Sequence, residues 1–229
     1  MKFITKTLAA ASIMAAGLAA TPAAAQIEGK IATVNPPLSI INTNAFKTAY
    51  EQIATTYKPQ IDTIQVRGQE RQTLLQQLDT NGDKQLDEAE QQAAQGTPQL
   101  TRIAAIEQEV GQLSGQVDLA RVFAVEQIMA QYGPALQQVA QQLQVQMVVS
   151  PEAVIYAPPA ASITQQVSAA LNTRVPAVQI VPQAGYQPNR NAVATYQQIQ
   201  QALLTAQAIQ AQQQAQQTQQ QGAQAPAGR

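Results

Sequence analysis

Apolar residues recur at helical spacing through the middle of the chain, residues 44–144. On the outgoing side they fall at Phe46, Tyr50, Ile53, Tyr57, Ile61 and Ile64, with Leu75 and Leu78 further on. The first six are separated by 4, 3, 4, 4 and 3 residues, which is the seam of a coiled coil. The returning side repeats the pattern at Ile103, Ile106, Val110, Leu113, Val117, Ala120, Ala124 and Ile128. Gly96-Thr97-Pro98 breaks the pattern and predicts the tip of a hairpin. A continuous helix from Pro98 to Gln144 would run about 70 Å at 1.5 Å per residue. A compact domain of this size is only about 40–45 Å across, so the arms are expected to project. Each arm has a narrow apolar seam and a wide Gln-rich face, so the hairpin buries little and is expected to flex. Lys58-Pro59, Gly68, Gly111, Gly115 and Gly133-Pro134 are candidate hinges, or else defects tolerated in a rigid rod.

The pattern changes outside the arms. Lys30-Ile31-Ala32-Thr33-Val34-Asn35 alternates and predicts a first strand. Pro36-Pro37 ends it, residues 38–42 predict one helical turn, and Asn44 is a candidate N-cap for the outgoing arm. Val145-Gln146-Met147-Val148-Val149 predicts a second strand. Ser150-Pro151-Glu152 turns, and residues 153–157, beginning Ala153-Val154-Ile155-Tyr156, predict a third. Ser162-Ile163-Thr164-Gln165 reads as a capping box opening a short helix, with Ile163, Val167 and Leu171 on one face. The fold class is therefore α+β. Residues 26–43 and 145–173 form a small β/α body, and residues 44–144 protrude from it as an α-helical coiled-coil hairpin. Three short strands make a poor core alone, so the body is expected to close its sheet with other copies. Residues 174–229 are Pro-rich and then Gln/Ala-rich, and are expected to be largely disordered, with 191–210 able to form helix.

Composition adds a compartment and removes several functions. Residues 1–25 read as a secretory signal peptide: Lys2 and Lys6 at the start, an apolar stretch from Leu8 to Ala20, and Ala23-Ala24-Ala25 before the cleavage point. Its removal implies a bacterial periplasmic protein beginning at Gln26. The chain has 13 basic and 14 acidic residues. Loss of Lys2 and Lys6 leaves 11 basic residues and a net charge of −3. No basic cluster points to nucleic acid or an anionic membrane. There is no His and no Cys, so the commonest catalytic base and the strongest nucleophile are missing. No glycine-rich phosphate loop is present, and an enzyme is not expected.

The acids are concentrated in one place. In an EF-hand loop, ligands stand at positions 1, 3, 5, 7, 9 and 12. Here those positions hold Asp79, Asn81, Asp83, Gln85, Asp87 and Glu90. Gln85 would offer its backbone carbonyl, Asp87 would act through water, and Glu90 would be bidentate. Leu86 stands where an apolar residue is expected. This oxygen set suits Ca²⁺. One residue departs from the pattern: Lys84 replaces the glycine that supplies a left-handed turn. The competing reading is a solvated acidic turn. A single loop followed by the short, small-residue segment 91–95 has no hydrophobic groove to open, so the expected role is to stiffen the arm.

The strand Lys30-Ile31-Ala32-Thr33-Val34-Asn35, the segments Met147-Val148-Val149 and Ala153-Val154-Ile155-Tyr156, and the helix face Ile163, Val167 and Leu171 resemble the periplasmic chaperone family known as Skp or OmpH. The resemblance covers roughly residues 26–173. It implies a jellyfish-shaped homotrimer whose helical tentacles hold unfolded outer-membrane proteins without using ATP. This chain departs from the family pattern in its slight acidity, its acidic loop and the tail beyond Thr173. Another function class also fits the residues: a structural coiled-coil protein of the envelope, with calcium setting arm stiffness.

Overall fold

The computed structural model describes residues 30–223; the signal-peptide expectation for residues 1–25 lies outside them. Two strands, β1 (Lys30–Thr33) and β2 (Val145–Val149), pair in parallel, with Ile31 opposite Met147 and Thr33 opposite Val149. Parallel neighbours need a long crossover connection. Here the crossover is the whole helical hairpin.

After β1, α1 (Pro36–Ile41) starts on two prolines, and Asn35 caps it by accepting from the Leu38 N–H at 2.9 Å. The outgoing arm is α2 (Asn44–Thr56) followed by α3 (Lys58–Leu78). Its N-cap is Thr43, one residue before the expected Asn44, because the Thr43 hydroxyl accepts from Phe46 N. The Asn44 N–H instead donates to Asn172 Oδ1 at 2.8 Å and ties the arm to the body. Tyr57 separates the two helices, which leaves Pro59 in the first turn of α3, where its missing N–H costs nothing. The far end comprises an acidic loop, α4 (Glu88–Ala94) and a turn with Gly96 at φ +77°. The tip is therefore broader than Gly96-Thr97-Pro98 alone. The return is α5 (Pro98–Met129), 32 residues or about 48 Å of helix. Gly111 and Gly115 lie inside it without interrupting it. The chain breaks at Ala130-Gln131 and continues as α6 (Tyr132–Leu143), whose C-cap, Gln144, is left-handed at φ +55°.

Three expectations are corrected beyond β2. Residues 154–157 form no strand, since Pro151–Ala153 is a 3₁₀ turn. Ile155 and Tyr156 stand in solvent, at 107% and 84% exposure, with no strand alongside to receive them. The capping box at Ser162 does not form. The Thr164 hydroxyl accepts from Asn35 N at 3.1 Å, and Ile163 N donates to Thr33 O, so the start of α7 (Thr164–Arg174) is fastened to β1 instead. The tail is not largely disordered: α8 (Arg190–Ala223) is a long helix whose first turns enter the core through Ala192, Tyr196 and Ile199. From Leu204 to Gln216 every residue of it is exposed.

The core lies where the arms join the body. Ile40, Phe46, Val125, Ile128, Val139, Val167, Leu171 and Ile199 form the main cluster. A second cluster, Ala49, Ile53, Val117, Ala120 and Ala124, continues it up the root of the arms. Beyond that, α3 buries no residue completely, while α5 buries Ile103 and Ile106. Among the described residues, no helix is long and apolar enough to cross a membrane.

Candidate functional site

The hairpin offers three surfaces: the acidic loop at its tip, the shaft, and the root. In the loop, every candidate side chain is engaged by backbone. Asp79 accepts from Gly82 N at 2.7 Å and Lys84 N at 2.8 Å. Asn81 Oδ1 accepts from Asp83 N, and Asp83 Oδ1 accepts from Gln85 N, both at 2.8 Å. Asp87 and Glu90 form a capping box at the start of α4. Glu90 Oε1 takes three donors: Thr80 N, the Thr80 hydroxyl and Asn81 N, at 2.7, 2.8 and 3.0 Å. These bonds, the Thr80 hydroxyl first, hold the buried Glu90 carboxyl below its ordinary pKa although burial pushes the other way.

The backbone follows the turn that the motif requires. Lys84 sits at φ +67°, the left-handed conformation expected at the glycine position. The side chains are arranged differently. Asn81 Nδ2 donates toward Asp83 and Asp87, both at 3.3 Å. Among the described residues, no three His, Cys, Asp or Glu side chains are gathered as a metal-holding group. For a cation to enter, the Asn81 amide must turn its oxygen inward and Glu90 must leave its donors.

The shaft is held by charge where apolar contact is thin. Arg67 pairs with Glu109 through two bonds, at 2.7 and 3.3 Å, and with Glu70 at 2.8 Å. Arg102 grips the same Glu70 at 2.6 and 3.0 Å, and Arg71 meets Glu107 at 3.1 Å. Paired guanidinium and carboxylate forks of this kind are the stronger class of ion pair. The Arg102 hydrogen bond, with help from Arg67, lowers the Glu70 pKa. Along α3, Ile61, Ile64, Leu75 and Leu78 are only half-buried.

At the root, residues 175–189 cross the outside of the arms as a strap. Val178 and Ile180 pack on the second cluster, between α2 and α5. The Gln127 side chain clamps the backbone of Gln179 on both sides: Nε2 donates to its carbonyl at 2.8 Å, and Oε1 accepts from its N–H at 3.0 Å. Tyr186 stacks edge-on against Phe123, with ring centroids 4.8 Å apart. Its hydroxyl and the Asn189 amide both donate to Glu126. Further along, Tyr196 donates to Asp118, and Gln200 donates to the Tyr50 hydroxyl at 3.3 Å. The Arg121 guanidinium lies 5.8 Å from the Tyr50 ring centre. Burial, partly offset by that guanidinium, pushes the Tyr50 phenol up to about 12.

Tyr50, Tyr57 and Tyr132 all pack against the core clusters, in line with a packing role rather than open contact positions. The strap residues had no place in the sequence-derived site. The signal that could have found them is the alternation Val178, Ile180 between Pro176 and Pro182.

Residues 30–171 match the model of the family described as outer membrane protein (OmpH-like). No curated protein matches the chain. Among solved structures, the chain is similar to an OmpH-like protein of Caulobacter crescentus CB15, at 20% identity. The alignment covers 68% of this chain and 90% of that one, with a TM-score of 0.39.

Proposed function

Because this chain belongs to the OmpH-like family of outer membrane proteins, we propose that it is a holdase: a periplasmic, ATP-independent chaperone that keeps unfolded outer-membrane proteins from aggregating. The observation that carries this reading is the projecting hairpin. In its far half α3 has no fully buried residue, its side of the apolar seam is half-buried, and its Gln-rich face is broad. Such a surface makes many weak contacts, which suits clients without a fixed shape. The working form is a homotrimer. A two-stranded sheet is marginal alone, and Ile31, Met147, Ile155 and Tyr156 stand exposed around it, ready to meet the same elements of other copies.

The test is to dilute a urea-unfolded outer-membrane barrel protein into the chain from Gln26 to Arg229 and determine the mass of what stays soluble. Three chains per client is the expected result. A client that aggregates as fast as it does alone overturns the holdase reading and brings the envelope-structural reading forward.

The tip loop is proposed to take Ca²⁺ through Asp79, Asn81, Asp83, Asp87, Glu90 and the Gln85 carbonyl. The support is the ligand spacing together with the left-handed Lys84. Binding would stiffen the tip and neutralise its charge.

A further inference from the structure

We propose that the groove between α2 and α5 at the arm root is a binding site for an extended client strand, and that the chain's own strap occupies it as an internal competitor. The proposal rests on the holdase reading and assigns it a site.

The strap is seated as a strand would be. From Ala177 to Pro182, exposed and half-buried residues alternate strictly, with Val178, Ile180 and Pro182 turned inward and Ala177, Gln179 and Val181 outward. Period-two burial is the mark of extended chain on an apolar surface. Among the described residues, the strap nevertheless pairs with no strand. Its backbone is held by Gln127, which reads one N–H and one C=O of the same residue and no side chain. Such a clamp accepts any sequence that presents extended backbone. The apolar floor, including Ala49, Ile53, Val117 and Ala124, accepts small and branched residues at alternate positions.

Transmembrane barrel strands carry an apolar residue at every second position, which is what the inward-turned positions Val178 and Ile180 offer the groove. An open cleft of about 310 Å³ lies alongside the strap, between Ile180 and the exposed face of α2 at Glu51, Gln52, Thr55 and Thr56. A displaced strap would stay tethered, by buried Val175 on one side and by Ala192 and Tyr196 on the other. It therefore competes at high effective concentration, and only a client offering several such strands at once displaces it.

The test uses a fluorescent synthetic peptide of residues 174–184 and the full chain carrying V178S and I180S, which weaken the strap and leave the groove intact. Anisotropy is expected to show the variant binding the peptide roughly tenfold or more tightly than the unaltered chain does. An unfolded barrel protein diluted from urea is expected to displace the peptide. Where the double variant loses helicity, Q179P serves instead, since it keeps both apolar residues and removes only the N–H that Gln127 accepts. A helical variant that does not bind the peptide overturns the groove. Binding without displacement overturns the client strand as its occupant. Light scattering of the same barrel protein with the unaltered chain reads the holdase activity separately, so clients protected but not displacing the peptide are held elsewhere on the arms.

Discussion

The Tyr196 hydroxyl donates to Asp118 Oδ1 at 2.6 Å, joining α8 to α5 across the root of the hairpin. The same Asp118 oxygen accepts from Arg121 at 3.2 Å, and Arg121 in turn faces Tyr50. Residues beyond the family-matched segment thus brace the arm where it leaves the body. Tyr196→Phe removes one charge-assisted bond from a half-exposed carboxylate and is expected to cost about 1 kcal/mol. Tyr196→Ala also empties the ring's place in the core and is expected to cost about 3–5 kcal/mol. Urea unfolding followed by circular dichroism measures both.

Alkali should loosen the same region. Burial raises the pKa of Tyr50 to about 12 and also raises that of Tyr196, whose bond to Asp118 adds to the shift. Above pH 10, the unfolded chain releases tyrosine protons that the folded chain keeps. Stability is therefore full below that pH and falls as pH rises toward the folded values. The urea midpoint should drop between pH 9.5 and about 11.5, and less steeply in Tyr196→Phe.

Acid acts on the shaft instead. The Glu70 pKa is lowered from 4.5 by Arg102 and Arg67, so its contribution is present above that value and is lost as pH falls through the lower folded value. Molar salt should weaken the same contacts at neutral pH, because these charges are only partly shielded from water. Amide exchange in residues 60–115 should accelerate under either condition, while exchange in α7 stays unchanged. Equal acceleration in both would mean that the ion pairs do not hold the shaft.

Burial predicts a steep gradient along the hairpin. Ile128 is fully buried among α5 and body side chains, and Ile128→Ala is expected to cost about 2–5 kcal/mol. Ile64 is half-buried in the shaft, and Ile64→Ala is expected to cost under about 1 kcal/mol. Urea midpoints of the two variants, measured side by side, check the difference.

At the tip, titration calorimetry of Ca²⁺ is expected to give a dissociation constant on the order of 10⁻⁴–10⁻³ M, as for extracellular modules, and no heat with Glu90→Gln. Lys84→Gly should leave the affinity much as it is and stabilise the folded tip, because Lys84 already holds the left-handed turn that the motif requires. The substitution relieves about 1–2 kcal/mol of left-handed strain against about 0.4–1 kcal/mol of added freedom in the unfolded chain. Identical traces for the unaltered chain and Glu90→Gln would remove the calcium proposal and leave a self-capped turn.

The seam was legible because helical periodicity is local: Ile53, Val117 and Ile128 are buried as their spacing requires. The Gly133-Pro134 pair marked a second break, and the helix does break there, slightly earlier, at Ala130-Gln131, leaving Pro134 in the first turn of α6. Pairing is not local. Val154-Ile155-Tyr156 has the composition of a strand, but a strand needs a neighbour, and among the described residues these find none. In α8, the Gln/Ala run masked a short helical stripe, Ala192, Tyr196 and Ile199, placed just after the Asn189 cap on Ala192 N. Composition averaged over the tail hid three residues that the core uses. In the acidic loop, the sequence specified the backbone turn but not which partners the carboxylates take, because backbone N–H groups compete with any ion for the same oxygens.

The parallel pairing of Lys30–Thr33 with Val145–Val149 also fixes an order of events during folding. Strand β1 is made first and has no mate until the entire hairpin has been synthesised. Pairing across so long a separation is slow, because closing the loop costs entropy before any contact is gained. The arms shorten that search. Once α5 zips back along α3 and α2 through contacts close to the tip, β2 is delivered beside β1. The tip is thus where the two arms lie closest in sequence, at the end of the molecule opposite the sheet. A chain with a loosened tip should reach the same final structure, but later, with β1 exposed for longer.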